Sequence, residues 1–122
     1  MSFEIAVRSE FSSAHRLVGY KGKCEELHGH NWKTEAIFLR KDLDKKAMVL
    51  DFKVAKKRLN RVLKELDHKC LNDLTFFKRN SPTSENICYF IYSNLKSKDK
   101  DLKLLKVTVW ETDSCSASYS EE

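Results

Sequence analysis

Two long stretches of the sequence alternate between apolar and polar residues, and this alternation restricts the fold more than any other feature. In the first stretch, one parity carries apolar side chains and a terminal histidine, namely Phe3, Ile5, Val7, Phe11 and His15. In the second stretch, one parity carries His28, His30, Trp32, Thr34, Ala36 and Phe38. Because successive side chains of a strand point to opposite faces of a sheet, the sequence predicts half-buried strands over residues 3–15 and about 28–40.

Two helices are predicted after these strands. Asp51 can cap a helix that ends near Asp67 and His68 and carries apolar side chains at helical spacing. Those side chains are Phe52, Ala55, Leu59, Val62, Leu63 and Leu66. Ser81 or Thr83 can cap a second helix. Its inward-facing side chains are Ile87, Phe90, Ile91 and Leu95.

The remaining residues predict two further strands. In the first of these two strands, the odd-numbered positions carry Leu105, Val107, Val109 and Glu111. After a polar turn at 112–114, the last strand covers about 115–119. The order strand, strand, helix, helix, strand, strand indicates a single α+β domain over residues 1–122. We expect a four-stranded antiparallel sheet with two helices on one of its faces.

The charge and the apolar content narrow the classes of partner. The formal charge of +5 comes mostly from dispersed lysines, and there is no uninterrupted basic tract. This distribution is typical of solvated helix faces and does not favour a nucleic-acid partner. It would also suit a small polyanionic substrate. The chain opens without a charged-then-apolar signal, and no apolar run approaches the roughly 20 residues that span a bilayer. We therefore expect a cytoplasmic protein without a membrane partner. Its four cysteines are then thiols or metal ligands rather than disulfides.

Three of the four histidines can converge on one point. His28 and His30 lie two residues apart in a strand and face the same side, and His15 ends the inward stripe of the other strand. Zinc binds imidazole nitrogen and thiolate sulfur, with four protein ligands in structural sites and three plus an open position in catalytic sites. As a fourth ligand, Cys24 would complete a structural zinc site in a binding module. As a neighbour of an open zinc position, its acidified thiol would serve as a base, and the residues alone leave both alternatives open.

Two further groups can take part in chemistry. His68 follows Asp67 at a predicted helix end, where the helix dipole favours an imidazolium, and an Asp–His pair can also orient a proton carrier toward a thiol. Glu111 is either a rim carboxylate or, if it is buried, a group that needs hydrogen-bond donors. A guanine-like or pterin ring offers two parallel N–H donors to the two oxygens of a carboxylate.

Six short tracts, in this order along nearly the whole chain, carry a family resemblance. They are FSSAHRL at 11–17, CEELHGHNW at 24–32, LDF at 50–52, LDHKCLN at 66–72, PTSEN at 82–86 and WET at 110–112. The sequence resembles the family of 6-pyruvoyltetrahydropterin and 6-carboxytetrahydropterin synthases. The resemblance implies a T-fold, in which sheets of several subunits form a trimeric barrel and two trimers commonly stack as a hexamer, with active sites between subunits.

The resemblance also implies roles for individual residues. The implied zinc ligands are His15, His28 and His30. Cys24 is implied as the catalytic base rather than a ligand, and Asp67 and His68 complete a proton relay, reaching in from a neighbouring subunit. Glu111 is implied to anchor the pterin ring, with the helix start at Thr83, Ser84 and Glu85 beside that ring.

The spacing Cys-x-x-x-His is similar to the bacterial branch of the family, which acts in queuosine biosynthesis. The implied activity is that of a zinc-dependent lyase, 6-carboxy-5,6,7,8-tetrahydropterin synthase, which converts 7,8-dihydroneopterin triphosphate to 6-carboxytetrahydropterin, acetaldehyde and triphosphate. Within the family, the alternative is a 6-pyruvoyltetrahydropterin synthase, which eliminates triphosphate without cleaving the side chain. The alternative from another class is the structural-zinc binding module.

Overall fold

The two alternating stretches form the two longest strands of the sheet. In the computed structural model, which describes residues 1–17 and 26–121, β1 covers Phe3–His15 and β2 covers His28–Arg40. The later strands are β3 (Lys69–Cys70), β4 (Lys103–Thr112) and β5 (Cys115–Tyr119). The helices are α1 (Phe52–Leu63), α2 (Thr75–Arg79) and α3 (Ser84–Leu95), and a 3-10 turn covers Leu71–Asp73. The α+β class is therefore confirmed.

Strand pairing brings the histidine-bearing ends of β1 and β2 together. The two strands pair antiparallel over all 13 residues of each, so that Phe3 lies opposite Arg40 and His15 lies opposite His28. β2 also pairs antiparallel with β4, and β4 with β5. The spatial order of the strands is β3-β1-β2-β4-β5.

The predicted four-stranded antiparallel sheet with two helices is wrong in two details. Within residues 1–17 and 26–121, the sheet has five strands and is mixed, because β3 pairs parallel with Ser13 and Ala14 of β1. The same part of the chain has three α-helices, because the short α2 precedes α3. A two-residue strand and a five-residue helix contain too few positions to show a hydrophobic period, so neither is visible in the sequence.

Both long helices contribute to one core against the sheet. Asp51 caps α1 by accepting a hydrogen bond from the Lys53 N–H, and the Thr83 hydroxyl caps α3 by accepting one from the Asn86 N–H. The buried cluster includes Phe11, Trp32, Ala36, Val107 and Val109 from the strands and Ala55, Leu59, Ile87 and Ile91 from the helices. The caps and the apolar stripes of the helices thus agree with the packing.

A bulge in β4 changes which side chains of that strand face the core. Ile37 of β2 lies opposite Lys106, whereas its neighbour Phe38 lies opposite Leu104, so the pairing skips Leu105. Leu104 is buried and Leu105 only half-buried. The prediction that Leu105 belongs to the inward set is therefore wrong, because one extra residue reverses the parity of everything before it.

Replacing the fully buried Ile91 with alanine should lower the free energy of unfolding by about 2–5 kcal/mol, because the truncation leaves a cavity in the core. Urea denaturation followed by circular dichroism measures this change. The control is Phe52→Ala. Phe52 is one of the apolar positions of the predicted helix, but it begins α1 and is 64% exposed, so its truncation should change stability by less than about 0.5 kcal/mol. Equal losses in both variants would contradict the core described above.

Candidate metal centre

Three histidines meet where the paired ends of β1 and β2 leave the sheet. His15 is the last residue of β1, and His28 and His30 are at the start of β2 on its core-facing side. One ring nitrogen of each residue can be chosen so that all three lie within 4.8 Å of one another. The Trp32 ring packs against the rings of His15 and His30, with centroids 4.9 and 5.2 Å away. The convergence expected from strand parity is therefore present in the structure.

Backbone carbonyls select the tautomer of two of these rings. His15 Nδ1 lies 2.7 Å from the Pro82 carbonyl oxygen, and His28 Nδ1 lies 2.8 Å from the Glu26 carbonyl oxygen. A carbonyl can only accept a hydrogen bond, so each Nδ1 carries the hydrogen and each Nε2 presents its lone pair. Metal-binding histidines in proteins usually have such a partner on the second ring nitrogen.

The donor set fits a metal cation. The Nε2 atoms of His15 and His28 are 3.1 Å apart, which brings two nitrogen lone pairs against each other unless a proton or a metal ion lies between them. Zinc is four-coordinate and accepts imidazole nitrogens, so a three-histidine set leaves one position for another ligand.

A carboxylate stands next to the histidines. The two oxygens of Glu111 lie 3.7 Å from His15 Nε2 and 3.9 Å from His30 Nε2. Glu111 is skipped by the β4–β5 pairing, which joins Trp110 to Ser116 and Thr112 to Cys115. Such bulges often redirect a side chain beside a site. The sequence indicated the parity of Glu111 in its strand but not its proximity to the three histidines.

Asp67 and His68 form a pair on the neighbouring edge of the sheet. Asp67 Oδ2 lies 3.5 Å from His68 Nε2, while Asp67 Oδ1 accepts a hydrogen bond of 2.8 Å from the Ser12 N–H. His68 has a φ of 56°, in the left-handed region that costs a non-glycine residue about 1 kcal/mol or more. Its side chain is 81% exposed. The chain thus holds the His68 backbone in a fixed turn while leaving the ring accessible.

A shallow cleft of about 440 Å³ lies along this edge. It is lined by Ser12, Ser13, Ala14, Gly29, His30, Asn31, His68, Lys69 and Cys70. His30 and His68 are therefore on the walls of one cleft, although His68 is not part of the three-histidine cluster.

The residues just before α3 contact the three-histidine cluster through a main-chain carbonyl. Pro82 supplies the carbonyl that orients His15, and Thr83, Ser84 and Glu85 follow directly. The Thr83 hydroxyl oxygen is used as the helix cap, Ser84 is half-buried and Glu85 is exposed. Sequence reasoning missed the roles of Pro82 and Glu26, because a main-chain carbonyl leaves no signal in side-chain identity.

The cysteines differ in their suitability as a base. Cys24 lies outside the described residues. Cys88 is buried in α3, and this burial raises the pKa of its thiol to about 12, so it stays protonated at neutral pH. Cys70 is half-buried in the cleft, and Cys115 is exposed on β5.

The α+β fold is that of a T-fold protein, and its three-histidine cluster is a centre able to hold a metal ion. Residues 4–122 match the model of the family described as 6-pyruvoyl tetrahydropterin synthase. The chain belongs to this family of pterin synthases, which confirms the resemblance inferred from the six tracts. Over the described residues, the helices are too short or too polar for any of them to cross a bilayer.

Individual relatives cover most of the chain. It is 33% identical to 6-carboxy-5,6,7,8-tetrahydropterin synthase of Haemophilus influenzae, with 98% of this chain and 99% of that one aligned. It is 36% identical to dihydroneopterin monophosphate aldolase of Pyrococcus furiosus, with 91% of each chain aligned. The solved structure of Caenorhabditis elegans 6-pyruvoyl tetrahydropterin synthase superposes with a TM-score of 0.86 at 30% identity, covering 100% of this chain and 97% of that one.

Proposed function

We propose that the chain is a zinc-dependent lyase, 6-carboxy-5,6,7,8-tetrahydropterin synthase, that acts in queuosine biosynthesis in the cytoplasm. The reaction converts 7,8-dihydroneopterin triphosphate and water to 6-carboxytetrahydropterin, acetaldehyde and triphosphate. The observation that carries the proposal is the convergence of His15, His28 and His30. It is supported by 33% identity to the Haemophilus influenzae synthase. We further propose that residues 1–122 form one T-fold domain.

The three histidines are the proposed zinc ligands. Bound there, zinc would act as a Lewis acid toward the hydroxyl oxygens of the substrate side chain and acidify the protons next to them. The carbonyls of Pro82 and Glu26 keep the rings of His15 and His28 in the tautomer that binds a cation. The fold therefore orients the rings of His15 and His28 before the substrate binds.

Cys24, Asp67 and His68 are the proposed proton-transfer groups. The Cys24 thiolate would take a proton from the substrate side chain, and His68 would receive or return it. Asp67, with an oxygen 3.5 Å from His68 Nε2, would stabilise the imidazolium formed in between. The 81% exposure of His68 suits a group that completes the site of a neighbouring subunit in a trimer or hexamer.

Glu111 and the start of α3 are proposed to bind the pterin. The oxygens of Glu111 are within 3.9 Å of two proposed ligands, which favours contact with the part of the ring nearest the metal. Exposed Glu85 offers a second carboxylate for paired ring N–H donors, and Thr83 and Ser84 flank it. Arg16 is exposed beside His15 and is a candidate for the triphosphate, together with Lys21 and Lys23.

Two other reactions are supported by particular relatives. Similarity to the Caenorhabditis elegans structure favours a 6-pyruvoyltetrahydropterin synthase, and similarity to the Pyrococcus furiosus protein favours an aldolase acting on a dihydroneopterin phosphate. The three reactions can be told apart by whether a two-carbon fragment is released and whether it carries phosphate. Side-chain cleavage with triphosphate loss releases acetaldehyde, elimination alone releases no two-carbon fragment, and aldol cleavage leaves phosphate on the released aldehyde.

The deciding experiment incubates zinc-loaded protein with 7,8-dihydroneopterin triphosphate and identifies the pterin and the two-carbon product by mass spectrometry. We expect acetaldehyde and 6-carboxytetrahydropterin in equal amounts. A pyruvoyl pterin without acetaldehyde would assign the chain to the pyruvoyl synthases, and a phosphorylated aldehyde would assign it to the aldolases. The absence of turnover of both 7,8-dihydroneopterin triphosphate and 7,8-dihydroneopterin monophosphate by assembled, zinc-replete protein would favour the structural-zinc binding module.

A further inference from the structure

Asn72 binds the backbone of Arg16 at two points. Its Nδ2 donates a hydrogen bond of 2.9 Å to the Arg16 carbonyl oxygen, and its Oδ1 accepts one of 3.0 Å from the Arg16 N–H. A side-chain amide thus supplies the same donor and acceptor that a residue of an adjacent strand would supply. Because the Arg16 nitrogen belongs to the peptide group that joins it to His15, this contact holds the backbone directly after a proposed zinc ligand.

Asp67 makes the corresponding contact at the other end of the same segment. Its Oδ1 accepts from the Ser12 N–H at 2.8 Å, and the His68 N–H donates to the Ser12 carbonyl oxygen at 2.6 Å. Between these two ends, β3 pairs with Ser13 and Ala14. Residues 67–72, here called the edge segment, therefore run beside residues 12–16 of the chain. Two side chains extend a two-residue strand into continuous contact with the end of β1.

The edge segment has its own attachment to the core. Leu71, next to Asn72, is completely buried and belongs to the main apolar cluster. The position of Asn72 is therefore fixed by packing, and its side chain transfers that position to the backbone at Arg16. The same segment carries His68, so one element relates the proposed proton carrier to the strand that ends in His15.

We propose that Asn72 is a positioning residue that fixes the His15–Arg16 peptide group and thereby the direction of the His15 ring. Its effect on turnover rests on the proposed function, whereas its effects on the Arg16 amide and on zinc affinity do not. Outer groups that orient metal ligands typically contribute 10- to 100-fold to metal affinity or activity.

The first test is Asn72→Ala in the full chain. We expect hydrogen exchange of the Arg16 amide, measured by NMR, to become at least about tenfold faster. The zinc dissociation constant, measured by competition with a chromophoric chelator, should rise about tenfold, and kcat should fall by a similar factor with KM within about twofold. The matched control is Asn80→Ala, which removes a hydrogen bond of 2.9 Å to the Phe76 carbonyl but no contact to β1. That variant should keep the zinc affinity and kcat of the parent.

A second variant tests the geometry if the alanine variant does not fold. Asn72→Asp keeps an acceptor for the Arg16 N–H but loses the donor to the Arg16 carbonyl, so the amide should stay protected while zinc affinity falls by less than in Asn72→Ala. If Asn72→Ala folds, Arg16 exchange and zinc affinity within twofold of the parent would overturn the proposal. If only Asn72→Asp folds, an unchanged zinc affinity would overturn it. If both quantities respond but no parent turnover is found, Asn72 positions His15 and the proposed function is wrong.

Discussion

Replacing His28 with alanine is expected to lower zinc affinity on the order of a hundredfold and to abolish detectable turnover. Structural zinc sites of four ligands bind with roughly 10–16 kcal/mol, so the loss of one ligand costs about 3 kcal/mol. His28 is half-buried at the start of β2, and its truncation should leave the fold intact. The zinc dissociation constant, zinc content and initial rates measure these effects together.

The matched control is the fourth histidine of the chain. His68 is on the edge segment and not in the three-histidine cluster, so His68→Ala should keep one zinc per chain while its turnover falls. Loss of zinc from both variants to the same extent would contradict the assignment of the metal centre to the ends of β1 and β2.

The second large effect is expected from Cys24→Ala. If Cys24 is the base, kcat should fall by about 10²- to 10⁴-fold, the usual contribution of a positioned proton carrier, while zinc content stays near one per chain. Cys115→Ala is the control, because Cys115 is exposed at the start of β5, and that variant should keep both activity and zinc.

The zinc content of the Cys24 variant also separates the two classes of function. If zinc is lost together with the thiol, Cys24 belongs to the ligand set and the site is saturated by protein groups. Chelation would then be expected to unfold the protein, as in other small domains that depend on structural zinc. If the zinc remains and only turnover is lost, the open position required by a lyase is available.

The sequence predicted the convergence of three histidines because the relevant signal is local. Residues two apart in a strand face the same side, so the sequence places His28 and His30 together. The same alternation places His15 at the end of the apolar face of the strand over residues 3–15. The caps at Asp51 and Thr83 were also readable, since each depends on a side chain within three residues of the N–H that it binds.

The features of the fold and of the site that could not be predicted depend on contacts between residues that are far apart in the sequence. Pairing of β3 with β1 joins residues more than fifty positions apart and involves only two residues of each strand, which leaves no periodicity. The bulge at Leu105 depends on how β4 aligns with β2. Leu104 and Leu105 are adjacent and both apolar, so the sequence does not show which of them faces the core. The orientation of His15 by the Pro82 carbonyl is likewise invisible, since every residue has a carbonyl.

The full-length pairing of β1 with β2 has a consequence for how such proteins can diverge. Because the ladder itself brings His15 opposite His28, the facing of these two histidines does not depend on the number of residues that join the two strands. In general, doubling the length of a loop costs only about 0.6 kcal/mol in closure entropy. The number of residues between β1 and β2 can therefore change at little thermodynamic cost while the ladder keeps His15 and His28 facing each other.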